Sequence, residues 1–182
     1  MSVILLDRDG VINHEPAGGV TSADAWDPLP GSIEAIAALS RAGYQLVIAT
    51  NQPGLARGEF DLDDLEAMHA KMRALVEDAG GEIAAIFYCP HGPDDGCRCR
   101  KPATGMLDAI EAEFDTSLHD CYFVGDRLRD LQAAVAKGCK PVLVRTGQGE
   151  ATLRSLLESP DAALAETTVF DDLAAFSQFV LL

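Results

Sequence analysis

Two aspartates separated by one residue, Asp7 and Asp9, follow the first apolar run of the chain. An ionised Asp7 bound to a divalent cation could attack phosphorus through its free oxygen, while Asp9 protonates the leaving oxygen and later deprotonates water. Asp126 offers a second carboxylate of the kind that Mg²⁺ prefers. The Thr50 hydroxyl, the amide that follows it and the Lys101 ammonium could stabilise the phosphoryl oxygens. This set indicates phosphoryl transfer. The alternative, that Asp7 and Asp9 only cap a turn, leaves the other three residues unexplained.

These side chains are far apart in the sequence, so a scaffold must bring them together. Short β-branched runs alternate with amphipathic stretches, which predicts an α/β fold: one doubly wound, Rossmann-like parallel sheet, with residues 1–182 as a single domain. Strands are predicted over residues 3–6, 45–49, 85–88, 122–124 and 141–144. Helices are predicted over residues 31–43, 61–76, 105–114, 128–137 and 150–157, and the tail from 168 to 182 adds a strand and a last helix. Ligands bind beyond the carboxyl ends of such strands, where Asp7, Thr50 and Asp126 are expected.

A second group of reactive side chains lies in the loop CPHGPDDGCRC. Cys89 and His91 form one pair and Cys97 and Cys99 another, and residues two apart in an extended segment point to the same side. Three thiolates and one imidazole make a closed, structural Zn²⁺ site, which would order the loop and aim the residues that follow it. The alternative is a set of unliganded surface thiols. The other cysteines, at positions 121 and 139, are expected to pack in the core.

Composition excludes several classes of protein. The formal net charge is −15, and such a surface repels nucleic acid, although a small phosphorylated ligand can still bind where cations are concentrated. The chain has no long uncharged apolar run, and its beginning, MSVILLDRDG, does not have the pattern of a secretory signal. We therefore expect a cytoplasmic protein that acts as a monomer on a small molecule and binds neither nucleic acid nor membrane.

In order along the chain, the motifs DRDG, TNQPG, RKP and GDRLRD resemble those of the haloacid dehalogenase superfamily of phosphatases. The resemblance extends from about Val3 to Gly147. It implies that Asp7 is the nucleophile and Asp9 the general acid and base. It also implies that Asp7, the backbone carbonyl of Asp9 and Asp126 hold catalytic Mg²⁺. Thr50 and Lys101 would stabilise the phosphoryl group.

More narrowly, TNQPGLARG, the CPH…CRCRKPATGML loop and LVRTGQG are similar to the heptose 1,7-bisphosphate phosphatases of that superfamily, bacterial cytoplasmic enzymes of lipopolysaccharide core synthesis. This resemblance implies substrate contacts from Glu15, Pro16, Ala17, Gly18, Asn51, Gln52, Pro53, Arg100 and Arg127. Histidinol-phosphate phosphatases share the catalytic motifs and a short zinc loop and are the nearest alternative, although Arg57 in GLARG favours the heptose enzymes. A non-catalytic, zinc-stabilised interaction module is a third hypothesis.

Spacing leaves no room for a separate cap domain between Asp9 and Thr50 or between Thr50 and Lys101. The segment Asn13–Pro28 and the zinc loop would then have to cover the site. His14 is expected either to line the site or to be solvated, and His69 and His119 are expected on the surface.

Overall fold

A parallel sheet of six strands organises residues 2–182, the part of the chain that the computed structural model describes. The strands are β1 (Val3–Leu6), β2 (Gln45–Asn51), β3 (Ala85–Cys89), β4 (Tyr122–Gly125), β5 (Lys140–Val144) and β6 (Thr168–Phe170). Their order across the sheet is β3-β2-β1-β4-β5-β6. The strand order reverses between β1 and β4, and a crevice for ligands forms at such a switch point, beyond the carboxyl ends of the strands.

Seven helices connect and cover the strands within residues 2–182. They are α1 (Ser32–Arg41), α2 (Gly54–Arg57), α3 (Leu62–Asp78), α4 (Gly105–Phe114), α5 (Leu128–Ala136), α6 (Gly149–Glu158) and α7 (Leu173–Leu181). A 3-10 helix spans Ala162–Leu164. Every predicted strand and helix is confirmed, with ends shifted by a few residues at most, and only the short α2 and the 3-10 helix were not predicted. Asp61 caps α3 as expected, because its carboxylate accepts the Asp64 amide at 2.9 Å.

The sheet has an apolar layer on each face, because successive strand residues point to opposite sides. Ile4 and Leu6 of β1 pack in the cluster that includes the buried residues of α1, α3 and α7. Val3 and Leu5 pack in the cluster that includes α4 and α5. The doubly wound fold is therefore confirmed. None of the helices in residues 2–182 has both the length and the apolarity needed to cross a membrane.

The segment between β1 and α1 is a long irregular loop that folds back over the sheet edge. A bridge pairs Asn13 with Pro28, and the loop residue Trp26 is fully buried. Neither residues 7–31 nor residues 90–104 contain a helix or an extended strand, so no cap domain is inserted at either place. Cys139 is buried as predicted, whereas Cys121 is only half-buried. His14 and His119 are both exposed.

Candidate active site

Asp7 directly follows β1, and its carboxylate lies against a buried lysine. The Lys101 Nζ is 3.0 Å from Asp7 Oδ1, and it also donates to Asp130 Oδ1 at 2.7 Å and to the Ala49 carbonyl at 2.8 Å. The Asn51 side chain holds the Lys101 backbone, because its Oδ1 accepts the Lys101 amide at 3.0 Å and its Nδ2 donates to the Lys101 carbonyl at 3.2 Å. The end of β2 thus fixes a residue that lies fifty positions further along the chain.

Lys101 is charged although only 1% of its surface is exposed. Burial by itself lowers the pKa of an ammonium group, but the carboxylates of Asp130 and Asp7 outweigh burial and raise the pKa of Lys101. Asp130 is itself fixed, because its Oδ2 accepts the backbone N–H groups of Asp126 and Arg127 at 3.2 and 3.1 Å. The sequence analysis did not assign Asp130. Its position four residues after Asp126, in the first turn of α5, is the signal that could have found it.

Three carboxylates can offer oxygens to one cation, since ligand atoms of Asp7, Asp126 and Asp130 all lie within 4.8 Å of one another. Asp126 is fully buried, and its Oδ2 accepts the Gln148 amide at 2.8 Å, while its Oδ1 has no hydrogen-bond partner. Burial and the neighbouring carboxylates raise the pKa of Asp126 to about 8. Burial and Asp130 raise the pKa of Asp7 to about 6, although Lys101 opposes this shift.

These features fit a bound divalent cation. A cation would offset the repulsion between carboxylates and would provide the partner that Asp126 Oδ1 lacks. An all-oxygen set suits a hard cation such as Mg²⁺. Asp130 already binds Lys101 and two backbone amides, so Asp7 and Asp126 are the carboxylates best suited to the metal.

The Asp9 carboxylate accepts hydrogen bonds from three side chains. Arg8 Nε and Asn13 Nδ2 donate to Oδ1 at 3.0 and 2.9 Å, and Gln52 Nε2 donates to Oδ2 at 3.0 Å. The same Gln52 nitrogen lies 2.9 Å from the Thr50 hydroxyl, so one amide links Thr50 to Asp9. Burial favours the neutral acid, but the Arg8 guanidinium and these donors outweigh burial and lower the pKa of Asp9. Asp9 is therefore an anion before substrate binds.

Arg8 is fully buried behind this site, and a buried histidine lies against it. His69 Nε2 is 3.2 Å from Arg8 Nη1. Burial and the Arg8 charge lower the pKa of His69 to about 3, so the ring is neutral and can accept a hydrogen bond. The prediction that His69 lies on the surface is wrong: the helix face that carries it packs over Arg8, a contact between residues sixty-one positions apart.

A polar cavity of about 510 Å³ opens above these residues. Most of the predicted site residues line it: Asp7, Asp9, Glu15, Pro16, Ala17, Gly18, Asn51, Gln52, Pro53 and Arg127. Thr50, Lys101 and Asp126 are buried and do not line the cavity wall, and Arg100 does not line it either. Arg57, Phe60 and Arg129 line it although they were not assigned as site residues.

The two loops that were expected to cover the site behave differently. Residues of the Asn13–Pro28 segment form one wall of the cavity, as predicted. Residues 89–99 do not line it, but Pro90, His91 and Asp95 line a neighbouring cavity that shares Glu59 and Phe60 with it, so coverage of the site by the zinc loop stays a prediction. This loop begins at the end of β3, outside β2, and Lys101, two residues beyond it, contacts Asp7 at 3.0 Å. His14 is not among the lining residues.

The zinc-loop side chains form one cluster, as the spacing predicted. The ligand atoms of Cys89, His91, Cys97 and Cys99 lie within 4.8 Å of one another, and individual separations include 3.7 Å from Cys89 Sγ to Cys97 Sγ and 3.2 Å from His91 Nδ1 to Cys99 Sγ. A tetrahedron with Zn–S bonds of about 2.3 Å has edges of roughly 3.7 Å. Backbone N–H groups following Cys97 outweigh the effect of burial and lower the pKa of its thiol to about 7, whereas burial raises the pKa of the Cys89 thiol to about 12. A bound cation would favour the thiolate form of both residues. The cluster thus has the composition and spacing of a structural zinc site.

Comparison with known proteins identifies the family. Residues 98–176 match the model of the HAD-hydrolase-like family. The chain is 51% identical over 98% of its length to a D-glycero-beta-D-manno-heptose-1,7-bisphosphate 7-phosphatase of Pseudomonas putida, and 52% identical over 99% of its length to the enzyme of that name from Pseudomonas aeruginosa. Both comparisons cover 98% of the relative. The chain belongs to this phosphatase family of the haloacid dehalogenase superfamily.

Solved structures agree with this membership. A D,D-heptose 1,7-bisphosphate phosphatase from Bordetella bronchiseptica, complexed with magnesium and phosphate, superposes with a TM-score of 0.94 at 49% identity. The comparison covers 100% of this chain and 98% of that one. The enzyme from Burkholderia thailandensis gives a TM-score of 0.77 at 42% identity, with 100% of this chain and 99% of that chain covered. The fold of these two enzymes is therefore shared along the whole chain.

Proposed function

We propose that this protein is a magnesium-dependent phosphatase that removes the 7-phosphate of D-glycero-D-manno-heptose 1,7-bisphosphate through an aspartyl phosphate on Asp7. The observation that carries the proposal is the buried contact between Asp7 and Lys101, with Asp126 and its unpaired oxygen beside them. The nucleophile Asp7, the ammonium group of Lys101 and the metal ligand Asp126 therefore lie next to one another. Relatives about 50% identical along the whole chain carry this enzyme's name.

Asp7, Asp126 and the backbone carbonyl of Asp9 would hold Mg²⁺, which when bound offsets the charge of the phosphate and keeps Asp7 ionised. One Asp7 oxygen attacks phosphorus, the bond from phosphorus to the sugar oxygen breaks, and that oxygen takes a proton from Asp9. Lys101 and the Thr50 hydroxyl, with the backbone amide after Thr50, stabilise the equatorial oxygens.

The second half-reaction returns the enzyme to its starting state. Asp9 takes a proton from water, the resulting hydroxide attacks phosphorus, and the bond to Asp7 breaks to release inorganic phosphate. The anionic resting form of Asp9 suits this base role. For the first half-reaction Asp9 must carry a proton, and the negative charge of arriving phosphate raises its pKa and favours that form.

The cavity supplies recognition. Glu15–Gly18 and Pro53 line the cavity and would face the sugar, and Asn51 and Gln52 would contribute mainly by holding Lys101 and Asp9 in place. Arg127, which pairs with Glu15 at 3.0 Å, and Arg100 would bind charged or hydroxyl groups of the substrate.

Structural Zn²⁺ in the cysteine–histidine cluster is part of the proposal, as is the treatment of residues 1–182 as one domain. We further propose that the protein acts as a cytoplasmic monomer without nucleic-acid or membrane partners. None of the five cysteines forms a disulfide, and three of them belong to the metal cluster. This use of cysteine suits a reducing compartment.

Phosphate release with Mg²⁺ tests the function. Both anomers of the heptose bisphosphate, histidinol phosphate and fructose 1,6-bisphosphate are compared at equal concentration, and phosphorus NMR identifies which phosphate leaves. We expect the highest kcat/KM for one anomer of the heptose bisphosphate, with loss of the 7-phosphate. A higher kcat/KM for histidinol phosphate would establish the alternative enzyme instead, and no turnover of any phosphate ester would favour an interaction module.

A further inference from the structure

Four arginines gather at the cavity of a strongly acidic protein. The chain has only 14 lysines and arginines against 29 acidic residues, yet Arg57, Arg127 and Arg129 line the cavity wall. Arg100 lies near enough to Arg129 and Arg57 for their positive charges to act on its guanidinium group. Such a local excess of positive charge favours an anionic ligand at this place.

Two of these arginines already have acidic partners and two do not. Arg127 pairs with Glu15 at 3.0 Å, and the exposed Arg57 lies 3.8 Å from Glu59. Within residues 2–182, neither Arg100 nor Arg129 makes an ion pair. The Nε of Arg129 and the Nη1 of Arg100 are moreover buried without any hydrogen-bond partner. Buried donors that lack acceptors are uncommon because desolvation is not compensated.

Water could accept these hydrogen bonds, but it could not offset the repulsion between the two guanidinium groups. A phosphate group can do both, since it brings several acceptor oxygens and negative charge, and the planar guanidinium matches it with paired donors. The phosphate that would bind these two arginines is not the reacting one, because in the proposed mechanism Lys101 and the Thr50 hydroxyl hold the reacting phosphate at Asp7. A cavity of about 510 Å³ is within the size range of small-molecule sites and has room for a sugar with two phosphates.

We propose that Arg129, together with Arg100, binds the phosphate of the substrate that is not hydrolysed, and so selects bisphosphates over monophosphates. This inference rests on the proposed function and adds to it a specificity residue, Arg129, on the first turn of α5. The placement is consistent with the fold: the same helix turn carries Asp130, which positions Lys101, so one element aligns the reacting and the distal phosphate sites.

Steady-state kinetics on heptose 1,7-bisphosphate and heptose 7-phosphate test the proposal. Arg129→Gln removes the charge and shortens the side chain, but keeps a polar side chain that can donate a hydrogen bond. We expect the ratio of kcat/KM for the bisphosphate to kcat/KM for the monophosphate to fall about ten- to a hundredfold, the loss expected for a charged hydrogen bond. Arg129→Lys should recover part of this ratio. Arg154→Gln, which removes an exposed charge from α6 outside the cavity, is the matched control and should leave the ratio unchanged.

Calorimetry supplies a readout that does not depend on turnover. In an Asp7→Asn background, adding Arg129→Gln should weaken binding of the bisphosphate about ten- to a hundredfold more than binding of the monophosphate. Equal losses on the two ligands, or no loss on either, would overturn the role of Arg129 while leaving the phosphatase activity intact. Wild-type protein that releases no phosphate from the bisphosphate would instead overturn the proposed function, and this subsite with it.

Discussion

The pair formed by Lys101 and Asp130 allows a quantitative test of how the site is held together. In Asp130→Asn the shape is nearly kept, but the carboxylate 2.7 Å from Lys101 Nζ is lost. Removing one partner of a buried ion pair costs about 3–5 kcal/mol when the other charge is left alone. Lys101 retains Asp7 at 3.0 Å and the Ala49 carbonyl at 2.8 Å, so we expect the lower end, about 3 kcal/mol. For a chain of this size that corresponds to a fall in Tm of roughly 6–12 °C.

Catalysis should fall as well, because Lys101 loses the contact that directs it toward the phosphoryl oxygens. Loss of a preorganised donor costs on the order of 10²–10³-fold in kcat, and since Lys101 itself remains, we expect about a ten- to a hundredfold fall. Thermal unfolding and phosphate release on the same preparation measure both effects.

The matched control is Asp108→Asn, which removes a carboxylate from the exposed pair of Asp108 with Lys137. Exposed pairs contribute about 0–1 kcal/mol, so this variant should keep both Tm and kcat close to wild type. If Asp130→Asn unfolded at the same temperature as Asp108→Asn and turned over at the wild-type rate, the idea that Asp130 positions Lys101 would be refuted.

Three further predictions follow from the carboxylates and the metal sites. Asp7→Asn should fold normally and lose nearly all turnover, because only the carboxylate can form the aspartyl phosphate; phosphate release near the wild-type rate would exclude this mechanism. Mild chelation should abolish activity reversibly by removing Mg²⁺, while metal analysis still finds about one zinc per chain, since a closed thiolate site holds zinc tightly; full activity and an ordered loop in zinc-free protein would contradict the structural role. In Mg²⁺-free protein the pKa values of Asp126, about 8, and Asp7, about 6, exceed the ordinary 3.8, so the folded state binds more protons than the unfolded state between those values. The contribution of these carboxylates to the free energy of unfolding should therefore fall as pH rises from about 4 to about 8. Buried His69, with a pKa of about 3, acts in the opposite direction below its ordinary value of 6.5, so the net fall should be measured between about pH 6.5 and pH 8. Added Mg²⁺ should raise Tm more at pH 8 than at pH 5; thermal unfolding that shows equal stabilisation at the two pH values would count against metal binding by these carboxylates.

Local patterns in the sequence were sufficient for the elements of the fold. A short, continuous apolar run predicted β1, and the position of Asp7 immediately after it placed the nucleophile at the sheet edge. The two-residue spacing of Cys89 with His91 and of Cys97 with Cys99 predicted the metal cluster, because that spacing alone sets which side of the chain the ligands face. Where sequence reasoning fell short in an element, tertiary pairing explains it: β2 continues past the predicted end at residue 49 because Thr50 and Asn51 still pair with β3.

The sequence by itself thus determined which residues could perform the chemistry and the order in which strands would deliver them. Only the tertiary structure decided how those residues are held. The contact of Lys101 with Asp130, the burial of His69 against Arg8 and the convergence of Arg129 with Arg100 each join positions about 29 to 61 residues apart. Periodicity and spacing act within one element and fix its type and the face it buries. Which polar side chains meet between elements depends on how helices and loops pack around the sheet, and that packing is a property of the whole chain.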